Sequence, residues 1–134
     1  MKVSQRTEYG IRAMVALAAN YEAGPLSIPD IASREALPEP FLEQLMGDLR
    51  RAGLVQSTRG SRGGYRLSQE PGSVSVGSIV QVLEGSLSPA RCTDACVKRQ
   101  GCSTRSVLDM IEESVSSTLE SIRLGDLLKV DTNE

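Results

Sequence analysis

The segment Ala36-Leu37-Pro38-Glu39-Pro40 constrains the architecture more than any other stretch, because two closely spaced prolines cannot lie inside a helix. On its N-terminal side, Ser27 followed by Asp30 has the form of a capping box, with Asp in place of the commoner Glu. It opens a short helix ending near Glu35. On its C-terminal side, Pro40 suits the first turn of the next helix, where a missing N–H costs nothing. That helix covers about residues 39–52 and stops at Gly53. In it, Leu42, Leu45, Leu49 and Ala52 are expected to face inward, with Glu39, Glu43, Gln44, Asp48 and Arg51 outward. Two short helices across a tight connection form a helix-turn-helix.

The flanking pattern extends this unit. Ile11, Met14, Val15, Ala18 and Tyr21 recur at helical spacing, so a first helix is expected over roughly 4–21, stopped by Gly24-Pro25. Residues 54–59 and 65–68 read as strands around Gly60-Ser61-Arg62-Gly63-Gly64, a β-hairpin wing. Ser75 can cap a fourth helix with the stripe Val76, Ile79, Val80 and Leu83, ending at Gly85. Ser103 can cap a long helix to about Ile122, with Val107, Ile111, Val115, Thr118, Leu119 and Ile122 along one side.

With one Phe, three Tyr and no Trp, the core must be aliphatic, which suits packed helices. The expected fold is mainly α with a small β-hairpin wing. A winged helix-turn-helix domain over 1–85 leads through a cysteine loop over 86–102 to a dimerisation helix and C-terminal segment over 103–130. The apolar side of so long a helix needs a partner, and the simplest is its own copy across a two-fold axis. A homodimer is expected.

A formal charge of −2 counts against a nucleic-acid binder only on average. Residues 1–68 hold nine basic and seven acidic side chains, whereas 69–134 hold six and ten. Between Arg50 and Arg66 lie five arginines and no acid. A helix-turn-helix with a wing and a local basic patch fits a reader of double-stranded DNA, the second helix in the major groove and the wing beside the phosphates. In that reading Arg50, Arg51, Arg59 and Arg62 supply affinity. Glu43 accepts from a cytosine amino group and Gln44 pairs with adenine, so they specify bases. For Glu43 and Asp48 a plain solvated surface is an equal alternative.

Cys92, Cys96 and Cys102 stand as C-x3-C-x5-C in a polar loop containing Thr93, Asp94, Lys98, Arg99, Gln100 and Gly101. Three thiols so close together can ligate an iron-sulfur cluster or zinc, or form a redox thiol switch. The chain has no histidine, so a fourth ligand must be a carboxylate, hydroxyl, backbone group, solvent or small molecule, and Glu8 and Asp94 are the carboxylates to consider. The same absence removes any Ser-His or Cys-His dyad, and no phosphate-binding loop is present, so an enzyme is not expected. A cluster carrier using the helix-turn-helix only as scaffold is a further alternative, which leaves the arginines unexplained. The N-terminus lacks the apolar run of a leader, and no run approaches the ~18 apolar residues of a membrane span, so a cytoplasmic protein without membrane contact is expected.

Taken in order, several stretches resemble the IscR/NsrR-type family of iron-sulfur winged-helix transcription regulators, over essentially the whole chain to about Val130. They are Glu8-Tyr9-Gly10-Ile11-Arg12-Ala13-Met14, Phe41-Leu42-Glu43-Gln44-Leu45, Leu49-Arg50-Arg51-Ala52-Gly53-Leu54-Val55, Arg59-Gly60-Ser61-Arg62-Gly63-Gly64-Tyr65, Val76-Gly77-Ser78-Ile79 and Leu124-Gly125-Asp126-Leu127. The resemblance implies a homodimer crossed by the long helix, with one 4Fe-4S or 2Fe-2S cluster per subunit near the interface. It also implies control of genes for cluster assembly, nitric-oxide defence, iron or redox homeostasis. The gap between the first two cysteines is shorter than the family commonly has, and Arg105 stands where the IscR branch carries a histidine ligand. In some NsrR-like relatives an acidic residue near the N-terminus of the other subunit completes the site, and Glu8 occupies the corresponding position.

Overall fold

A computed structural model describes residues 3–61, 63–85 and 103–131. Its elements run α1 (Gln5–Ala19), α2 (Ile28–Glu35), α3 (Glu39–Arg51), β1 (Val55–Thr58), β2 (Gly64–Leu67), α4 (Val76–Glu84), α5 (Ser103–Ser121) and α6 (Leu124–Asp131).

Each boundary has a local cause. The Ser4 hydroxyl accepts from the Thr7 N–H and opens α1. Asn20 closes that helix by donating from its side chain to the Gly24 carbonyl at 2.9 Å. The Ser27–Asp30 capping box forms reciprocally, as the sequence requires. Ala36 takes a left-handed conformation with φ 54° to end α2, and Pro38 caps α3 with Pro40 in its first turn. Ser75 caps α4 by accepting from the Ser78 N–H at 3.1 Å.

The core is aliphatic. Met14 of α1, Ile31 of α2, Leu42, Leu45, Met46 and Leu49 of α3, and Ile79 of α4 are all at most 1% exposed. Two details of α3 differ from the sequence pattern. Met46 takes an inward place, whereas Ala52 is exposed because α3 stops at Arg51 and Gly53, with φ 84°, turns the chain away.

The hairpin pairs Val55 with Leu67 through to Thr58 with Gly64, antiparallel. Its stem is stitched to the helical unit where the Tyr65 N–H donates to the Leu26 carbonyl at 2.7 Å and the Leu26 N–H donates back at 2.9 Å. A segment ahead of the helix-turn-helix thus fixes the wing.

The chain after α5 returns to the same core. The Val76 N–H donates to the Ile122 carbonyl at 2.8 Å, and the Leu124 N–H to the Val74 carbonyl at 2.9 Å. Asp126 accepts from the Arg123 N–H at 3.0 Å and starts α6, a helix the apolar periodicity did not separate from its surroundings, and Leu124 is fully buried. By contrast, α5 leaves Val107, Met110 and Ile111 bare at 54%, 66% and 39% exposure, so its apolar side is uncovered in a single copy.

Candidate nucleic-acid interface

The burial of Leu42, Leu45, Met46 and Leu49 decides which side of α3 faces out. Opposite them, at spacings of four, three and four residues, Pro40, Gln44, Gly47 and Arg51 form one outward line. Glu43 and Arg50 flank it on one side and Asp48 on the other. Glu43 and Gln44 are exposed on this face, as the sequence required.

The cations at the C-terminal end of α3 are differently engaged. Arg50 donates to the Ser57 hydroxyl at 3.4 Å, linking the helix end to β1. Arg51 turns back along α3 and pairs with Asp48, passing so close to Gly47 that a Cβ there would lie 3.4 Å from its Nη1. Arg6, from the first turn of α1, pairs with the same carboxylate. Asp48 is therefore held below the usual carboxylate range, first by the Arg6 hydrogen bond and also by Arg51, with partial burial opposing them. A freely solvated Asp48 is thereby corrected: it sits between two guanidiniums.

On the hairpin, Arg59 is exposed, whereas Arg66 lies over the Tyr21 ring at 5.7 Å from its centroid and is occupied there. Arg62 lies outside the described residues, as do Cys92, Cys96, Cys102 and Asp94. Glu8 is exposed in the first turn of α1, and its carboxylate has no hydrogen-bond or ion-pair partner among the described residues. Among those residues no group of His, Cys, Asp and Glu is placed to hold a metal ion, and no helix is long and apolar enough to cross a membrane.

The chain matches the Rrf2 family, described as iron-dependent transcriptional regulators, over residues 3–130. The chain belongs to the Rrf2 family. Among similar Rrf2 proteins is the HTH-type transcriptional regulator CymR of Bacillus subtilis, 38% identical over all of this chain and 94% of its own length. Its structure, titled as that of the global cysteine regulator, superposes with a TM-score of 0.84 at 38% identity over 97% of this chain and 98% of that one. IscR of Aliivibrio salmonicida is 34% identical over 96% of this chain and 77% of its own length. The structure of T. potens IscR superposes with a TM-score of 0.81 at 44% identity, covering 98% of this chain and 88% of that one. The fold is thus an Rrf2 winged helix, and the chain is a DNA-binding transcription regulator rather than an enzyme.

The Rrf2 fold here carries one contact that apolar spacing could not reveal. Glu84, the last residue of α4, accepts from the Ser4 hydroxyl at 2.6 Å, from the Ser4 N–H at 3.1 Å and from the hydroxyl of fully buried Thr7. These bonds, led by the Ser4 hydroxyl, hold Glu84 below its ordinary 4.5. A carboxylate lowered on folding contributes stability that is present above its unfolded value and lost as pH falls through its folded one. Glu84→Gln should therefore lower thermal stability at neutral pH and flatten its decline below pH 4.5. Parallel melting curves for the variant and the parent across that range would contradict the assignment.

Proposed function

We propose that the chain acts as a homodimeric regulator in which α3 reads base edges in the major groove and the hairpin grips the adjacent backbone. The observation that carries this is the outer face of α3: Gln44 stands exposed on its midline with Glu43 exposed beside it, Arg50 and Arg51 lie at its C-terminal end, and the hairpin with Arg59 lies beyond. Arg50, Arg51, Arg59 and Arg62 supply backbone affinity in this reading, and Glu43 and Gln44 the base preference. The bare side of α5 is the dimer seam, consistent with its exposed Val107, Met110 and Ile111.

A gel shift with salt titration tests the interface. Arg59→Ala and Arg62→Ala should each weaken duplex binding and flatten the slope of log affinity against log salt by about one unit. Unchanged affinity and slope in both would remove the wing from the interface. Glu43→Ala should relax base preference at one operator position more than it lowers overall affinity, because a carboxylate can accept from a cytosine amino group but repels phosphate. A uniform loss across operator variants would contradict that role.

For control of binding, the favoured reading is an iron-sulfur cluster on Cys92, Cys96 and Cys102. The donor set suits such a group: three soft thiolates within eleven residues and no histidine. Glu8 is the fourth-ligand candidate, reaching from the partner subunit across the two-fold axis, and its carboxylate is exposed and unengaged among the described residues. A bound cluster would supply iron responsive to redox state or nitric oxide. The chain's own part is to carry the effect of cluster gain or loss to α3. The segment 86–102 joins the end of α4 to the start of α5; Glu84 at the α4 end bonds Ser4 and Thr7, and Arg6 in the same α1 turn pairs with Asp48 on α3. The first turn of α1 thus touches both ends of the route.

A second reading, a thiol switch on the same three cysteines, is favoured by the similarity to CymR, titled a global cysteine regulator.

A further inference from the structure

We propose that Asp48 is an intramolecular rival of the DNA backbone: its carboxylate holds the Arg6 and Arg51 guanidiniums on the outer face of α3, and duplex phosphates must displace it to engage them. This rests on the DNA-reading role proposed for α3.

Three features of one face carry the inference. Asp48 pairs with both arginines at once, Arg6 from α1 and Arg51 one turn further along α3. The two pairs differ in accessibility. The Arg51 side chain is 67% exposed whereas that of Arg6 is 32% exposed, so Arg51 is the arm that can leave. Gly47 lies under the Arg51 guanidinium, in the middle of the outward line that also holds Gln44.

A glycine inside a helix is less favourable than alanine, and no positive φ demands one at this position. The Arg51 guanidinium lies against the helix here, in van der Waals range of the position a Cβ would take. When Arg51 swings to a phosphate, the backbone at Gly47 is uncovered on the reading face. A carboxylate and a phosphate both accept charge-assisted hydrogen bonds from a guanidinium, so one replaces the other without a new kind of contact.

The consequence is a discount on unspecific affinity. Any duplex can offer phosphates, but each must first compete with Asp48. The same cost falls on every duplex, so the pair lowers background binding, and only a site that also satisfies Glu43 and Gln44 retains high affinity.

Asp48→Asn tests this directly in the full-length protein, with a random-sequence duplex as probe. The variant should bind the random duplex about two- to fivefold more tightly near 0.1 M salt, the range expected for releasing a solvent-accessible ion pair. Its slope of log affinity against log salt should stay near the parent's, because Arg51 meets the same phosphate in both proteins and only the competition in the free protein is removed. Adding Arg51→Gln to Asp48→Asn should cancel the gain, and Arg51→Gln alone should flatten the slope by about one unit.

A purely structural role predicts lower thermal stability with equal or weaker DNA binding. Equal or weaker random-duplex binding by folded Asp48→Asn protein would overturn the proposal. So would an unchanged salt slope in Arg51→Gln, a variant that leaves the Arg6–Asp48 pair intact and keeps the question open to decision if Asp48→Asn does not fold. Failure of the parent protein to bind any duplex would sink the DNA-reading role first, and this proposal with it.

Discussion

Gly64→Ala should melt about 10 °C below the parent protein and lose most of its duplex affinity. Gly64 is the first residue of β2, and an added Cβ would stand 2.3 Å from the Leu26 carbonyl oxygen and 2.7 Å from the Ser27 nitrogen. Both are backbone atoms, so no rotamer change can relieve the clash. Relief requires moving the hairpin off the strand-like segment at Leu26, which breaks the two Leu26–Tyr65 hydrogen bonds and disturbs Ser27 at the cap of α2. Overpacking of this kind costs about 1–3 kcal/mol, and the two lost bonds add about 1 kcal/mol each. For a chain of this size that is a fall of roughly 10 °C or more. Gly72→Ala is the matched control: its Cβ meets nothing within 4 Å and its φ is not in the left-handed range, so the change should stay within about 0.5 kcal/mol. A Gly64→Ala protein melting within about 2 °C of the parent would show that the hairpin is not seated through this contact.

The seat of the wing was not legible in the sequence, although the wing was. Alternation in residues 54–59 and 65–68 around a glycine-rich turn is a local signal, and so are the Ser27–Asp30 box and the proline break before α3. The Leu26–Tyr65 pairing joins residues 39 positions apart through backbone atoms and leaves no trace in side-chain periodicity. The same holds for α6. Leu124 is a core residue, but the segment carrying it is too short to show a helical stripe, and its place is set by backbone bonds to Val74 and Val76.

At the candidate interface the side chains that stand alone were readable and those that act in pairs were not. Glu43 and Gln44 follow from the spacing of Leu42, Leu45 and Leu49, because the helix period alone puts them outside. The spacing of Asp48 and Arg51 permitted an ion pair, yet nothing in the sequence brought Arg6 from 42 residues away. Counting arginines between 50 and 66 overstated the free charge. Arg51 is paired with Asp48, Arg50 bonds Ser57 and Arg66 lies on Tyr21, so Arg59 is the arm there with no partner among the described residues.

Cys96→Ser should abolish visible absorption in anaerobically prepared protein, and Glu8→Ala should change that spectrum and speed bleaching about tenfold or more, the lower range for loss of a group supporting a metal site. With thiolates at Cys92, Cys96 and Cys102, one position remains. Arg105 is always protonated and cannot fill it, and the chain has no histidine. Glu8 meets the physical requirements of an outside donor: it is exposed, and its carboxylate is engaged by no described neighbour. Its helix is anchored just ahead of it, by Ser4 and Thr7 to Glu84 and by Arg6 to Asp48, so removing the carboxylate leaves the fold intact. The control must be chosen with care. Glu120 would be a poor one, because it accepts from the Ser75 hydroxyl at 3.2 Å and lies against Gly77, where α5 packs on α4. Glu22 is exposed beyond the end of α1, and Glu22→Ala should leave spectrum and bleaching rate unchanged. A parent spectrum in Glu8→Ala would exclude Glu8 as ligand and turn attention to Asp94 or an exogenous group. A colourless parent protein after anaerobic reconstitution with iron and sulfide would exclude the cluster, and the same protein free of bound zinc would select the thiol switch. In that case Cys96→Ser should alter the response of duplex binding to oxidants while Glu8→Ala does not, because only a metal has use for the carboxylate.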